Sequence, residues 1–286
     1  MVSDAVVISL YTLLIMMLTF PLMIAICLKI RRKTKFIPFL LGLLVYFTFA
    51  IVCPTFVHTI FLNQGRPTSA FLNSNVISYS AYYAIVVGIL EELGIFVAFK
   101  KILVNYDKKD TALMYGLGHA GLDILFMNAL SIVVFIIFAT ALNEKGVEGL
   151  KEIYSDIDGV DLDKNIEYLT SITVVQLFLQ ALRYILFFVF HIFASIIVFY
   201  AAKKSTIQYY WIAVVLRGLL TIPGSIEKFE NLDGTDIPQT VIMVICVLAI
   251  VAMAGFIALK LYKNYDSEQI IMPRDLFSKG TSPKMY

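Results

Sequence analysis

The chain has 286 residues, 59% of them hydrophobic and only 15% charged, with a formal net charge of +2. That balance excludes an ordinary soluble domain and fits a polytopic membrane protein. No GxSxG, HExxH, Walker or dinucleotide fingerprint is present, and the basic clusters lie beside apolar runs with no nucleic-acid signature.

A bilayer span needs about 20 mostly apolar residues, and seven such stretches follow one another. The first covers roughly 6–28. Its start, MVSDAVVISLY, has no basic region ahead of the apolar run, so an uncleaved span is expected rather than a signal peptide. The second, 36–61, carries His58 near one end, at an expected interface position. The third, 76–99, opens with Tyr79, Tyr82 and Tyr83, which suit packing or an interface belt. It continues into GILEELGIFVAFK (Gly88–Lys100), with Glu91 and Glu92 inside the apolar run. The fourth, 112–142, contains YGLGHAGLDILFMN (Tyr115–Asn128), with His119 and Asp123.

Residues 143–168 hold eight acids against three lysines and suit an external loop, partly helical on its surface. The DIDGVDLD run (Asp156–Asp163) lacks the EF-hand spacing and its closing glutamate, and reads as a solvated loop. The fifth span, 169–202, contains RYILFFVFHIFASIIVFYA (Arg183–Ala201), with Arg183, His191 and Ser195. The sixth, 206–224, carries Arg217, and the seventh covers 238–262. An all-α bundle is expected: one seven-helix domain over 1–263, then a short polar cytoplasmic tail over 264–286. Cys27, Cys53 and Cys246 fall within spans and are expected as free core cysteines.

Charge sets the expected orientation. With the N-terminus outside, sixteen lysines and arginines fall in the inner segments and five in the outer ones. The positive-inside rule therefore favours N-out, C-in.

Charged residues inside spans are costly and usually face a protein interior with a function. Counted from the nearest inner boundary at about 1.5 Å per residue, Glu92, His119, His191 and Arg217 come to similar depths. A shared layer in the cytoplasmic half is expected. His119 and Asp123 stand four residues apart on one helical face, as do His191 and Ser195. Asp123 is thereby placed to accept a ring N–H from His119 and fix its tautomer. His191 with Ser195 makes a donor patch for a developing oxyanion. Gly116, Gly118 and Gly121 around His119, and Gly88 and Gly94 around the glutamates, favour close helix approach.

The ordered set of a Glu-Glu pair, GxGHxxxxD/E, then R…H…S with an apolar run to Tyr-Ala resembles the YhfC family of intramembrane metalloproteases. That family is related to the CAAX-processing (CPBP) and PrsW-like membrane peptidases. The resemblance covers roughly Gly88 to Lys204. It implies a glutamate-activated water, positioned by Glu91 with His119. It also implies oxyanion contacts from His191, with Ser195 where related enzymes carry an amide, and an acid at Asp123. A basic residue that often follows the glutamate pair is replaced here by Ile95.

The resulting site is Glu91, Glu92, His119, His191 and Ser195, supported by Asp123, Arg183 and Arg217. Glu91 is the expected general base, returning its proton to the leaving amine, and Glu92 a ligand or helper. His119, His191 and Glu92 are the metal-ligand candidates, with zinc favoured and a metal-free glutamate mechanism as the alternative. The implied substrate is a membrane protein, peptide or lipidated peptide, reached within or beside membrane lipid through a polar cavity open to the cytoplasm. The competing readings are a proton-coupled transporter and a non-catalytic scaffold or immunity protein.

Overall fold

The computed structural model describes residues 1–154, 162–230, 232 and 236–267. Most of the DIDGVDLD run and nearly all of the polar tail therefore lie outside the described residues. Among those described, seven helices are long and apolar enough to cross a membrane: α1 (Asp4–Arg32), α2 (Ile37–Phe61), α3 (Val76–Ile102), α4 (Asp110–Ile153), α5 (Val174–Lys204), α6 (Ile207–Phe229) and α7 (Ile237–Asn264). Short helices at Pro67–Leu72 and Leu162–Ser171 connect spans.

Local chemistry sets the boundaries. Ser3 caps α1 by accepting from the Val6 N–H, and Lys29, Arg31 and Arg32 occupy the last turn, where cations suit the helix dipole. Asn75 caps α3 and Asp236 caps α7 in the same way. Thr173 and Gln176 form a capping box, so α5 starts at Val174 rather than at 169. The helix following α4's central segment runs on to Tyr154, broken only at Gly146 (φ 70°), so the first part of the acidic segment is helical.

Three spans are widened by π-helical turns, at Tyr46–Val52 in α2, Ala98–Ile102 in α3 and Ile124–Ala129 in α4. In α2 the cause is Pro54, which has no N–H to offer the preceding turn. The neighbouring Cys53 N–H reaches back five residues to the Thr48 carbonyl. In α4 the Asn128 side-chain amide donates to the Asp123 carbonyl oxygen at 3.4 Å, within the ladder.

Helix α5 is the central pillar: 72% of its most apolar window is buried, against 17% for α1. Around it pack α4, α6 and α7, with α3 against α6 and α2 against α4. Glycines permit the tightest crossings. A β-carbon on Gly118 would stand 1.9 Å from the Phe39 carbonyl oxygen, and one on Gly88 would stand 2.7 Å from that of Val214. The backbones of α2 and α4, and of α3 and α6, thus touch where the polar residues lie.

The cysteines are free, but Cys27 and Cys246 are exposed on the bundle's outer surface and Cys53 is half-buried. They are not the core residues expected, because a span surrounded by lipid can carry apolar side chains on its outside as well as within. Large apolar side chains such as Ile8, Met23, Ile77 and Phe256 face outward for the same reason. His58 is half-buried, its Nδ1 3.0 Å from the Tyr82 hydroxyl and its ring against Tyr83.

Candidate active site

Glu91 on α3, His119 on α4 and His191 on α5 converge at the centre of the bundle, each 0% exposed. One ligand atom from each lies within 4.8 Å of the others, and among the described residues this is the metal-competent group of His, Cys, Asp and Glu. The two oxygens of Glu91 have separate partners. Oε1 lies 3.2 Å from His119 Nε2 and 3.0 Å from His191 Nδ1. Oε2 accepts from Arg217 Nε at 2.8 Å and lies 2.8 Å from a terminal guanidinium nitrogen of Arg217. Gly88 lies one turn before Glu91, and Gly218, beside Arg217, leaves room for the Ala84 carbonyl. This close α3–α6 crossing presses Arg217 onto the carboxylate. The cation missing at Ile95, which is 0% exposed in the apolar core, comes from another helix.

Asp123 departs from the expected pairing. It faces His191 across the bundle, Oδ2 3.5 Å from Nε2, rather than His119 one turn away on its own helix. Its Oδ1 accepts from the Tyr46 hydroxyl at 2.5 Å. His119 Nε2 is already turned to Glu91, and its Nδ1 has no hydrogen-bond partner among the described residues. Spacing along one helix gives a shared face but not the direction in which each side chain leans.

Glu92 is also 0% exposed, yet neither of its oxygens has a partner among the described residues, and it lies outside the three-residue group. Adjacent helical residues diverge by about 100°, and here Glu91 takes the direction of the imidazoles. Ser195 is 0% exposed, its Oγ likewise without a partner among the described residues. It packs against α4 at Gly116, where an added β-carbon would lie 3.1 Å from that oxygen. Arg183 is drawn elsewhere, into an ion pair with Glu227 at 2.5 Å. Tyr46 escaped the sequence reading; its one sequence signal is a tyrosine in mid-span, a residue type that seeks a hydrogen-bond partner when buried.

The donor set fits a divalent metal. Two imidazoles and a carboxylate are a recognised catalytic zinc set. The His191 nitrogens approach Glu91 and Asp123 without the alignment of hydrogen bonds, leaving them buried and unsatisfied. Such atoms are costly in a low-dielectric interior unless another partner takes them. Every group of the set is closed to solvent, which differs from the polar opening expected. An apolar cavity of about 380 Å³ lies between α1 and α5. Its wall includes Met17, Leu177, Tyr184 and Ile124, the residue after Asp123.

Residues 15–245 match the family model described as YhfC intramembrane metalloprotease, an interval that contains every residue of this site. A Bacillus subtilis (strain 168) relative, called uncharacterized membrane protein YhfC, is 23% identical over 212 residues, covering 74% of this chain and 81% of the relative. No solved structure matches the chain.

Proposed function

We propose a reaction for a chain that belongs to the YhfC intramembrane metalloprotease family: hydrolysis of a peptide bond in a membrane-associated protein, peptide or lipidated peptide. The observation that carries it is the closure of one carboxylate and two imidazoles within 4.8 Å at the centre of seven apolar helices. Glu91, His119 and His191 would hold the metal, and zinc suits that donor set. A zinc ion there supplies Lewis acidity for the substrate carbonyl and makes water a nucleophile near neutral pH.

The protein's own residues divide the remaining work. Arg217 holds Glu91 Oε2 and so aims Oε1 at the imidazoles. Glu92, the adjacent carboxylate whose oxygens have no partner among the described residues, takes the proton from the attacking water in place of Glu91, the base expected from the sequence. It returns that proton to the amine nitrogen as the carbon–nitrogen bond breaks. The hydroxyl of Ser195, unpartnered among the described residues, donates to the carbonyl oxygen as charge develops there. With the N-terminus outside, as the loop charges favour, the site lies in the cytoplasmic half of the bilayer.

The test pairs metal content with cleavage of a membrane-peptide library by the reconstituted protein. Glu92→Gln should keep its zinc and lose about 10²–10⁴ in rate. Glu91→Gln and His119→Ala should lose both zinc and cleavage. A wild type that binds no metal and cleaves nothing under varied metal supply would transfer the site to a proton-coupled carrier or a scaffold.

A further inference from the structure

Tyr46 touches every part of the metal-competent group except Glu91, and no account of the reaction so far uses it. It is 4% exposed, on α2. Its hydroxyl donates to Asp123 Oδ1 at 2.5 Å. Its ring stands edge-on to both imidazoles, 5.0 Å from His119 and 5.9 Å from His191, with interplanar angles of 83° and 89°. The backbone is shaped for these contacts. Tyr46 is the first residue of the π-helical turn in α2, and Asp123 is the last α-helical residue before the one in α4. Such insertions redirect side chains and gather at functional sites. Gly42, one turn before Tyr46, lets α2 close onto α4, where an added β-carbon would lie 2.3 Å from the Tyr115 carbonyl oxygen.

We propose that Tyr46 is a positioning residue for the metal centre: by holding Asp123 it fixes which ring nitrogen of His191 faces Glu91 and His119. The inference rests on the metal reading above. The chain of contacts runs one way. Tyr46 occupies Oδ1 of Asp123, so Oδ2 is left for Nε2 of His191. With Nε2 facing Asp123, 3.5 Å away, Nδ1 is the nitrogen turned to Glu91, 3.0 Å away. A carboxylate free to rotate would hold the imidazole less firmly, and outer partners of this kind tune metal affinity. The edge-on ring also restricts the tilt of both imidazoles. A tyrosine that merely filled core space would have no bearing on the metal.

Tyr46→Phe keeps the ring and removes only the hydroxyl. Zinc affinity of the purified protein would be read by competition with a chromophoric chelator, and coordination by the visible spectrum of the cobalt(II) form. Tyr46→Phe should weaken zinc about 10–100-fold and alter the cobalt spectrum. Tyr79→Phe, which changes a buried tyrosine of the α3–α6 aromatic cluster, should alter neither. Asp123→Asn should weaken zinc as well, and the double variant should be no worse than Asp123→Asn alone, since the hydroxyl acts through that carboxylate. Wild-type affinity and spectrum in Tyr46→Phe, or additive losses in the double variant, would overturn the positioning role. Failure of the wild type to bind zinc or cobalt would instead overturn the metal reading and this inference with it.

Discussion

Arg217 changes what a substitution at Glu91 does. From the sequence, Glu91→Gln is expected to leave folding intact unless it strands a partner charge, because it neutralises a buried carboxylate. The structure adds a guanidinium that is 8% exposed and has two nitrogens 2.8 Å from that carboxylate. Removing one partner of a buried pair strands the other, at about 3–5 kcal/mol. Glu91→Gln and Arg217→Met should therefore each lower the thermal unfolding midpoint in detergent. The double variant should recover most of the loss while remaining inactive. Simple addition of the two losses would mean that the pair is not the source of the instability.

At the scale of elements, α3 and α5 clasp each other at their shared end. Lys203 of α5 donates to the Leu103 and Val104 carbonyl oxygens just beyond α3, at 2.7 and 2.8 Å, and to Asp107 at 3.0 Å. Lys100 of α3 returns the contact, donating to the Ala202 carbonyl oxygen and the Ser205 hydroxyl, each at 3.1 Å. Each lysine satisfies carbonyls that a helix end leaves open. These are the helices that carry Glu91 and His191, so the clasp fixes their relative height. Lys203→Met should cost about 1.5–3 kcal/mol, the range for hydrogen bonds to a charged group, while Lys263→Met at an exposed position should cost little. The glycine crossing makes a sharper contrast. Gly118→Ala forces a β-carbon into the backbone of α2 and should greatly reduce the yield of folded protein. Gly224→Ala has open space and should stay within about 0.5 kcal/mol of wild type.

For the whole molecule, the governing facts are an apolar exterior and a closed polar centre. Cysteine labelling in a background lacking Cys27, Cys53 and Cys246 tests the orientation. Probes at Lys33 and Lys108 should react from the cytoplasmic side and one at Lys151 from the outside; labelling of 33 and 151 from the same side would overturn the topology. The closed centre also requires movement during turnover, since Glu91, Glu92, His119 and His191 are all 0% exposed. Helix α1 is the least buried span and forms one wall of the apolar cavity, which makes it the element that can yield at least cost in packing.

The sequence alone determined the seven spans, because twenty-residue apolar runs have few alternatives in a bilayer. It also put Glu92, His119, His191 and Arg217 at similar depths, because helical rise converts residue number directly into height. The glycines around them announced close crossings, and α4 against α2 and α3 against α6 meet there. Height along a helix carries no information about rotation between helices, however. Tertiary packing decided that Glu91 rather than Glu92 meets the imidazoles, that Asp123 serves His191 rather than His119, and that Arg183 belongs to Glu227. It supplied Arg217 from a sixth helix where Ile95 left no cation, and it brought Tyr46 to Asp123 across 77 residues of chain. Those pairings depend on which faces α2, α5 and α6 turn inward, and that is settled by the packing of seven helices together.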